Sequence, residues 1–189
     1  MAVDAAGIGR GIGGRRAQPL LLRASVSSNL QGAIAHGERV TATAAVDEHL
    51  VLGTSQGAIL VLDPDCNVLF RVPPSTPGPG SAVTALSFLS SNKSVLLVAC
   101  LCGSLEMLSL ATMLYSPLKP ALCRDKSSDA THITCLAPTP DYDHTSGLGT
   151  LYYGTSTGCV VRRIKGMLFV PPDNVIFSGE TAQPVKCGF

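Results

Sequence analysis

The stretch Leu50-Val-Leu-Gly-Thr-Ser-Gln-Gly57, continued by Ala58-Ile-Leu-Val-Leu-Asp63, decides the fold. From Leu50 through Leu62 it carries no charge. Two short apolar runs flank a small polar turn, and a strand apolar at every position is covered on both faces. Gly57 stands where a tight hairpin needs φ > 0. The stretch therefore predicts two antiparallel strands inside a layered β structure. Working outward, Arg39-Val-Thr-Ala-Thr-Ala-Ala-Val46 precedes it after a polar gap, and Val68-Leu-Phe-Arg-Val72 follows as an outer strand. Together they form one four-stranded unit.

The unit recurs. A second copy reads Ala82-Val-Thr-Ala-Leu-Ser-Phe88, then Ser94-Val-Leu-Leu-Val-Ala-Cys-Leu-Cys-Gly103, Ser104-Leu-Glu-Met-Leu-Ser-Leu110 and Met113-Leu-Tyr115. A third reads His132-Ile-Thr-Cys-Leu-Ala137, then Thr150-Leu-Tyr-Tyr-Gly-Thr-Ser-Thr-Gly158, Cys159-Val-Val-Arg-Arg-Ile164 and Val175-Ile-Phe177. The anchors Val40, Val83 and Ile133 are 43 and 50 residues apart, and the turn glycines Gly57, Gly103 and Gly158 are 46 and 55 apart. A period of about 40–45 residues with four strands is that of a WD40-type propeller blade. The excess of the third unit falls in the loop from Pro138 to Gly149, where added length costs little. Gln183-Pro-Val-Lys-Cys-Gly-Phe189 resembles the opening of a fourth first strand, with Val185 52 residues after Ile133. The expected fold is all-β: a WD40-like β-propeller of about three blades plus the start of a fourth, an incomplete ring. The expected blades are residues 39–72, 82–115 and 131–177, within a partial propeller spanning 31–189. Residues 1–30 are expected to be a disordered Gly/Arg-rich tail, with a transit peptide as the competing reading of Arg10, Arg15, Arg16 and Arg23.

Propellers close with four to eight blades. An outward face leaving about 500 Å² of apolar surface uncovered forgoes about 12 kcal/mol of burial, comparable to a whole domain's stability. Two such faces lead to the expectation of a fragment, or of a ring completed by another chain.

Composition removes several function classes. Hydrophobic residues make up 46% and charged residues 14%, and the net charge is +1, so bulk charge does not draw the chain to nucleic acid or anionic lipid. Seven cysteines (66, 100, 102, 123, 135, 159 and 187) form no CxxC pair, and the four histidines stand apart from them, so neither a disulfide framework nor a metal is expected. Leu20-Leu21-Leu22 is too short for a secretory signal. Val95 to Leu114 is apolar enough to raise a membrane span, but it contains Glu106 and aligns with the 50–62 hairpin, so it reads as two strands joined at Cys102-Gly103-Ser104.

Several motifs imitate chemistry. Gly53-Thr-Ser55-Gln-Gly57 and Gly154-Thr-Ser156-Thr-Gly158 both fit the nucleophile elbow G-x-S-x-G, which requires a helix after the serine. Both are followed by strand-like runs at one repeat position, which predicts a shared turn. Gly9-Arg-Gly11-Ile-Gly-Gly14 fits a dinucleotide fingerprint but has no strand before it. Asn92-Lys-Ser94 is a glycosylation sequon that matters only in a secreted chain. Asp141, Asp143 and His144 could serve acid–base work or hold a cation; the favoured reading is a solvated loop. Arg162-Arg163-Ile-Lys165 reads as a solvated strand end. No catalytic, cofactor-binding or metal residue is assigned, and interaction residues are left unassigned.

Four stretches together resemble a family: Val46–Asp63; Ile133–Asp143, where a strand runs into Pro140-Asp-Tyr-Asp; Tyr153-Gly-Thr-Ser-Thr-Gly158; and Asp173-Asn-Val-Ile-Phe-Ser-Gly-Glu180 with Pro184-Val185. Their order and spacing resemble the N-terminal propeller of the vacuolar protein sorting-associated protein 41 family, subunits of the HOPS tethering complex, over residues 25–189. The middle blade and the Pro73–Pro79 insertion depart from the pattern. The resemblance implies a non-enzymatic scaffold in endosome and vacuole (lysosome) traffic. It would be cytoplasmic and peripheral on the late endosome or vacuole membrane through partners: other tethering-complex subunits, a Rab-type small GTPase and, indirectly, the SNARE machinery. The related CORVET subunit, an interaction module of another pathway and a serine hydrolase are the alternatives.

Overall fold

A computed structural model of the chain describes residues 28–47, 49–90, 92–118, 131–143, 149–164 and 173–177. Three four-stranded antiparallel sheets follow one another along the sequence, each laid out in strand order. The first holds β1 (Val40–Val46), β2 (His49–Thr54), β3 (Ile59–Leu62) and β4 (Val68–Val72). The second holds β5 (Val83–Phe88), β6 (Val95–Cys100), β7 (Leu105–Ser109) and β8 (Leu114–Pro117). The third holds β9 (Ile133–Pro138), β10 (Leu151–Thr155), β11 (Val160–Arg163) and β12 (Asp173–Phe177). The first strands lie side by side, β1 against β5 and β5 against β9. This is the arrangement of successive propeller blades, and the ring is incomplete.

The three sheets span Val40–Val72, Val83–Pro117 and Ile133–Phe177. Val95–Leu114 is two strands and a turn, and among the described residues no helix is long and apolar enough to cross a membrane. The eighth strand begins at Leu114, because Met113 takes φ 58 as a turn residue.

The side-chain alternation explains the stacking. On the middle sheet Leu96, Val98 and Leu108 face the first sheet, meeting Val51, Ile59 and Val61 in one buried cluster. Leu97, Ala99 and Leu105 face the third, meeting Ile133, Leu151, Tyr153 and Val161 in another. Both faces of the middle sheet are therefore core, which is why its inner strands lack charge apart from Glu106. Each first strand also carries or meets an irregularity in pairing near its start, at Val40/Ala42, at Val83/Ala85 and opposite Gly154/Thr155. Gly53 lies under this start: a Cβ there would stand 2.5 Å from Val83 Cγ1, so its hydrogen is what lets the second blade approach.

The first sheet's outward face differs from expectation. A short helix, α1 (Ser28–Ala33), precedes the sheet, and Leu30 and Ile34 lie on Leu52, Leu60 and Leu62. Arg71 on β4 donates to Ala33 O at 2.7 Å and pairs with Glu38 at 2.9 Å. So of the two end faces expected to be bare, the first is covered, and among the described residues only the third sheet's outward face lacks a neighbour. The first three residues of α1, Ser28–Leu30, fall inside the stretch assigned to the tail; the rest of that stretch lies outside the described residues, as do Cys123, His144, Lys165 and 178–189.

Candidate interaction surface

The three turns joining second and third strands are one device repeated. In each, the glycine has positive φ: 85° at Gly57, 85° at Gly103 and 79° at Gly158. The glycine N–H donates to the carbonyl three residues back, on Thr54, Cys100 and Thr155. In the first and third blades a threonine hydroxyl closes the loop, accepting from Ala58 N at 3.0 Å and from Cys159 N at 3.1 Å.

The two G-x-S-x-G serines occupy equal places in this device. Ser55 Oγ accepts from the backbone N–H of Arg39 at 3.0 Å, and Ser55 N donates to Arg39 O. Ser156 Oγ accepts from the backbone N–H of His132 at 3.2 Å, and Ser156 N donates to His132 O. Each serine latches its turn to the residue that opens the blade's first strand. In the middle blade Leu101 keeps only the backbone half, donating to Ala82 O at 2.8 Å. A strand follows each serine, so the elbow geometry is absent, as the sequence expects.

The connection from β4 to β5, Pro73–Ala82, arches over the first two of these turns. It encloses a hollow of about 120 Å³ beside Ser75, Cys102, Glu106 and Tyr115. Its polar groups are tied to one another: Ser75 Oγ donates to Glu106 at 2.6 Å, Tyr115 Oη to Pro73 O at 3.1 Å, and Ser81 Oγ to Gln56 O at 3.1 Å. Burial pushes the neighbouring Cys100 thiol up to about 11 and raises Tyr115 as well, so both stay protonated at neutral pH. A protonated, buried thiol is a poor nucleophile.

At the opposite end of β1 and β5 a groove of about 430 Å³ runs between the first two blades, lined by Val46, Leu86, Phe88 and Lys93. Lys93 Nζ crosses it to Asp47 at 2.8 Å, both side chains more than half exposed. The sequon asparagine precedes Lys93 in the chain, its Oδ1 accepting from Ser94 N at 3.0 Å in a local turn. Neither groove nor hollow is marked in the sequence, apart from the proline-rich length of the β4–β5 connection.

The remaining sequence candidates are dispersed. Asp141 is exposed and Asp143 half-buried, on either side of Tyr142, which is 3% exposed in the core between the second and third sheets. The loop that holds them is pinched at its neck, where Thr139 N donates to Thr150 O and Thr150 N to Thr139 Oγ1, both at 2.8 Å. No group of three metal-ligating side chains occurs among the described residues. Arg162 is exposed as expected of a strand end, but Arg163 is not: it is 8% exposed and its guanidinium donates to Leu118 O of the second blade. The two arginines of the basic run therefore give one solvent charge and one cross-blade tie. Asp63, just past β3, receives Asn67 N at 2.8 Å and Asn67 Nδ2 at 3.0 Å; these bonds hold its carboxyl below the usual range and set the β3–β4 turn.

No family model and no curated protein matches the chain. Similar solved structures include the computationally designed Ika8 protein (21% identity over 71% of this chain and 36% of that chain, TM-score 0.47). A second is the β-propeller domain of Cps50 (Swd1) from Myceliophteria thermophila (12%, covering 72% and 38%, TM-score 0.45). A third is the computationally designed Ika4 protein (18%, covering 77% and 75%, TM-score 0.48). The chain spans little more than a third of the first two.

Proposed function

We propose that this chain is a non-enzymatic interaction module, and that its place is in a vesicle-tethering complex of endosome and vacuole traffic. One observation carries the first half. The only two serines with a nucleophile motif do the same architectural job in two different blades, each with its hydroxyl held by the backbone that opens its own sheet. A residue repeated with the repeat serves the repeat. What is left for function is the loop-bearing ends of the sheets, which is how propellers engage partners.

The tethering half rests on the resemblance to the vacuolar protein sorting-associated protein 41 family, with a HOPS or CORVET subunit as the two forms it can take. The partners that follow are other tethering subunits and a Rab-type GTPase, with membrane contact made through them. Affinity purification of the tagged chain followed by identification of the associated proteins tests this. Tethering subunits among them, lost when the Asp47–Lys93 groove is altered by Phe88→Glu, are the expected result. A stable unrelated complex in their place overturns the trafficking reading and leaves the module. Labelling of Ser55 or Ser156 by a serine-reactive fluorophosphonate overturns both.

A further inference from the structure

We infer that the bare face of the third sheet is the docking site of this chain's own segment Gln183–Phe189, with Val185 seated over Gly154 as the first strand of a fourth unit. The inference stands apart from the trafficking reading; it concerns how the sheets are closed.

The two seams already present define what such a face receives. The first strand of each following sheet lies on the first two strands of the preceding one: β5 touches β1 and β2, and β9 touches β5 and β6. At the first seam the anchor valine fills the space over a glycine, Val83 over Gly53. Pairing register puts Gly53 opposite Ala42, Ala99 opposite Ala85 and Gly154 opposite Cys135, so Gly154 is the third sheet's counterpart of Gly53. A Cβ at Gly154 would stand 2.7 Å from Cys135 Sγ and 3.5 Å from Thr134 Oγ1, both of its own sheet, so the Cys135 thiol leans over the glycine and must swing aside for an arriving side chain. Among the described residues nothing comes from across. The rest of the face is open too: Cys135, Ala137 and Arg162 are exposed, and Ile176 is 53% exposed. In the preceding sheets the counterparts of Cys135 are covered, Ala42 partly and Ala85 to 6% exposure.

The occupant is read from the repeat. The first strands open Val40-Thr-Ala, Val83-Thr-Ala and Ile133-Thr-Cys, and Val185-Lys-Cys opens the same way. A branched residue faces back onto the previous sheet, and a small one two places on faces forward. Reach allows it. From an outer strand to the next sheet's first strand is three strand spacings across and one sheet spacing over, about 17 Å. The seven residues between Phe177 and Val185 span up to about 23–25 Å. A second copy arranged head to tail is disfavoured, because it would bring its own first sheet, whose outward face α1 already covers.

Alkylation of the native thiols by iodoacetamide, followed residue by residue in the full chain, tests this. Cys66 and Cys102 are exposed and Cys100 is buried, so they serve as internal references. The expected result is that Cys135 reacts at least tenfold more slowly than Cys102, and that Val185→Asp brings it to the rate of Cys102 while Cys100 stays slow. Should Val185→Asp also release Cys100, Val185→Ala gives the same ordering on a folded chain. Reaction of Cys135 at the Cys102 rate in the unaltered protein overturns the inference. So does protection that survives Val185→Ala, or that deepens with protein concentration, which assigns the face to a second copy.

Discussion

Thr84 Oγ1 is buried at the irregular start of β5 without a hydrogen-bond partner, whereas its counterpart Thr41 donates to Gly53 O at 3.2 Å. A buried hydroxyl left unpaired costs about 1–3 kcal/mol, and valine has nearly the same shape without it. Thr84→Val is therefore expected to stabilise the protein by about 1 kcal/mol, read as a higher urea midpoint at unchanged slope. An unchanged or lower midpoint would mean that water reaches the hydroxyl. The latch serines predict the opposite sign. Ser55→Ala and Ser156→Ala each remove a side-chain bond to a strand-opening N–H, at about 0.5–1.5 kcal/mol apiece. They sit in separate sheets, so the double variant is expected to show the sum. Marked non-additivity in its unfolding midpoint would argue against independent latches. Both serines could be placed from the sequence, because two G-x-S-x-G copies at one repeat position point to a turn. Their partners could not, because a backbone N–H sixteen or twenty-four residues away leaves no mark in composition.

At the scale of elements, α1 is the least self-sufficient piece. Six residues do not sustain a helix in water, so its contacts must hold it. Glu38 is the centre of those contacts. Burial alone would raise its pKa, but hydrogen bonds from the Thr54 hydroxyl, Ala35 N–H and Arg71, with the Arg71 charge, together hold it below the ordinary value of 4.5. A carboxylate lowered on folding contributes stability that is whole above its unfolded pKa and is lost as pH falls through the folded one. Glu38→Gln is thus expected to cost about 1–2 kcal/mol at neutral pH, a gap that narrows as urea midpoints are followed down through pH 4. A gap that stays constant with pH would remove the charge from the account. This element was not legible beforehand. Leu30 and Ile34 are two apolar residues in a Gly/Arg/Ser-rich stretch, too few for a periodic signal. Arg163 was misjudged for a related reason. A basic pair at a strand end reads as solvated, and only the second sheet's arrival, with Leu118 O beside it, shows otherwise. The twelve strands among the described residues were legible because each obeys a local rule, apolar runs closed by a positive-φ glycine or a polar gap. What one sheet does to another obeys no such local rule.

For the whole molecule, the middle sheet is the member on which the rest depends. Leu96 and Leu97 are adjacent and both 0% exposed, yet they belong to different cores. Strand alternation sends Leu96 to the first sheet and Leu97 to the third. Leu96→Ala and Leu97→Ala should each cost about 2–5 kcal/mol, by lost burial and the cavity left behind. Their consequences should part in hydrogen exchange below the unfolding midpoint. Leu96→Ala is expected to speed exchange in β2 and β3 and to spare β10, while Leu97→Ala speeds β10 and β11 and spares β3. This separation arises because, among the described residues, each sheet packs on its sequence neighbours, so a defect at one seam loosens two sheets and must cross a second seam to reach the next. A ring closed on itself would blunt the contrast, since the first and last sheets would then also share a core. If both variants loosen all three sheets equally, the molecule unfolds as one unit and the seams are not its natural breaking lines. If they part as expected, each seam holds its two sheets largely independently of the other. Among the described residues the third sheet has one covered face and one open one, so it would then be the first to open, and whatever packs on the face that holds Gly154 would stabilise that sheet before any other.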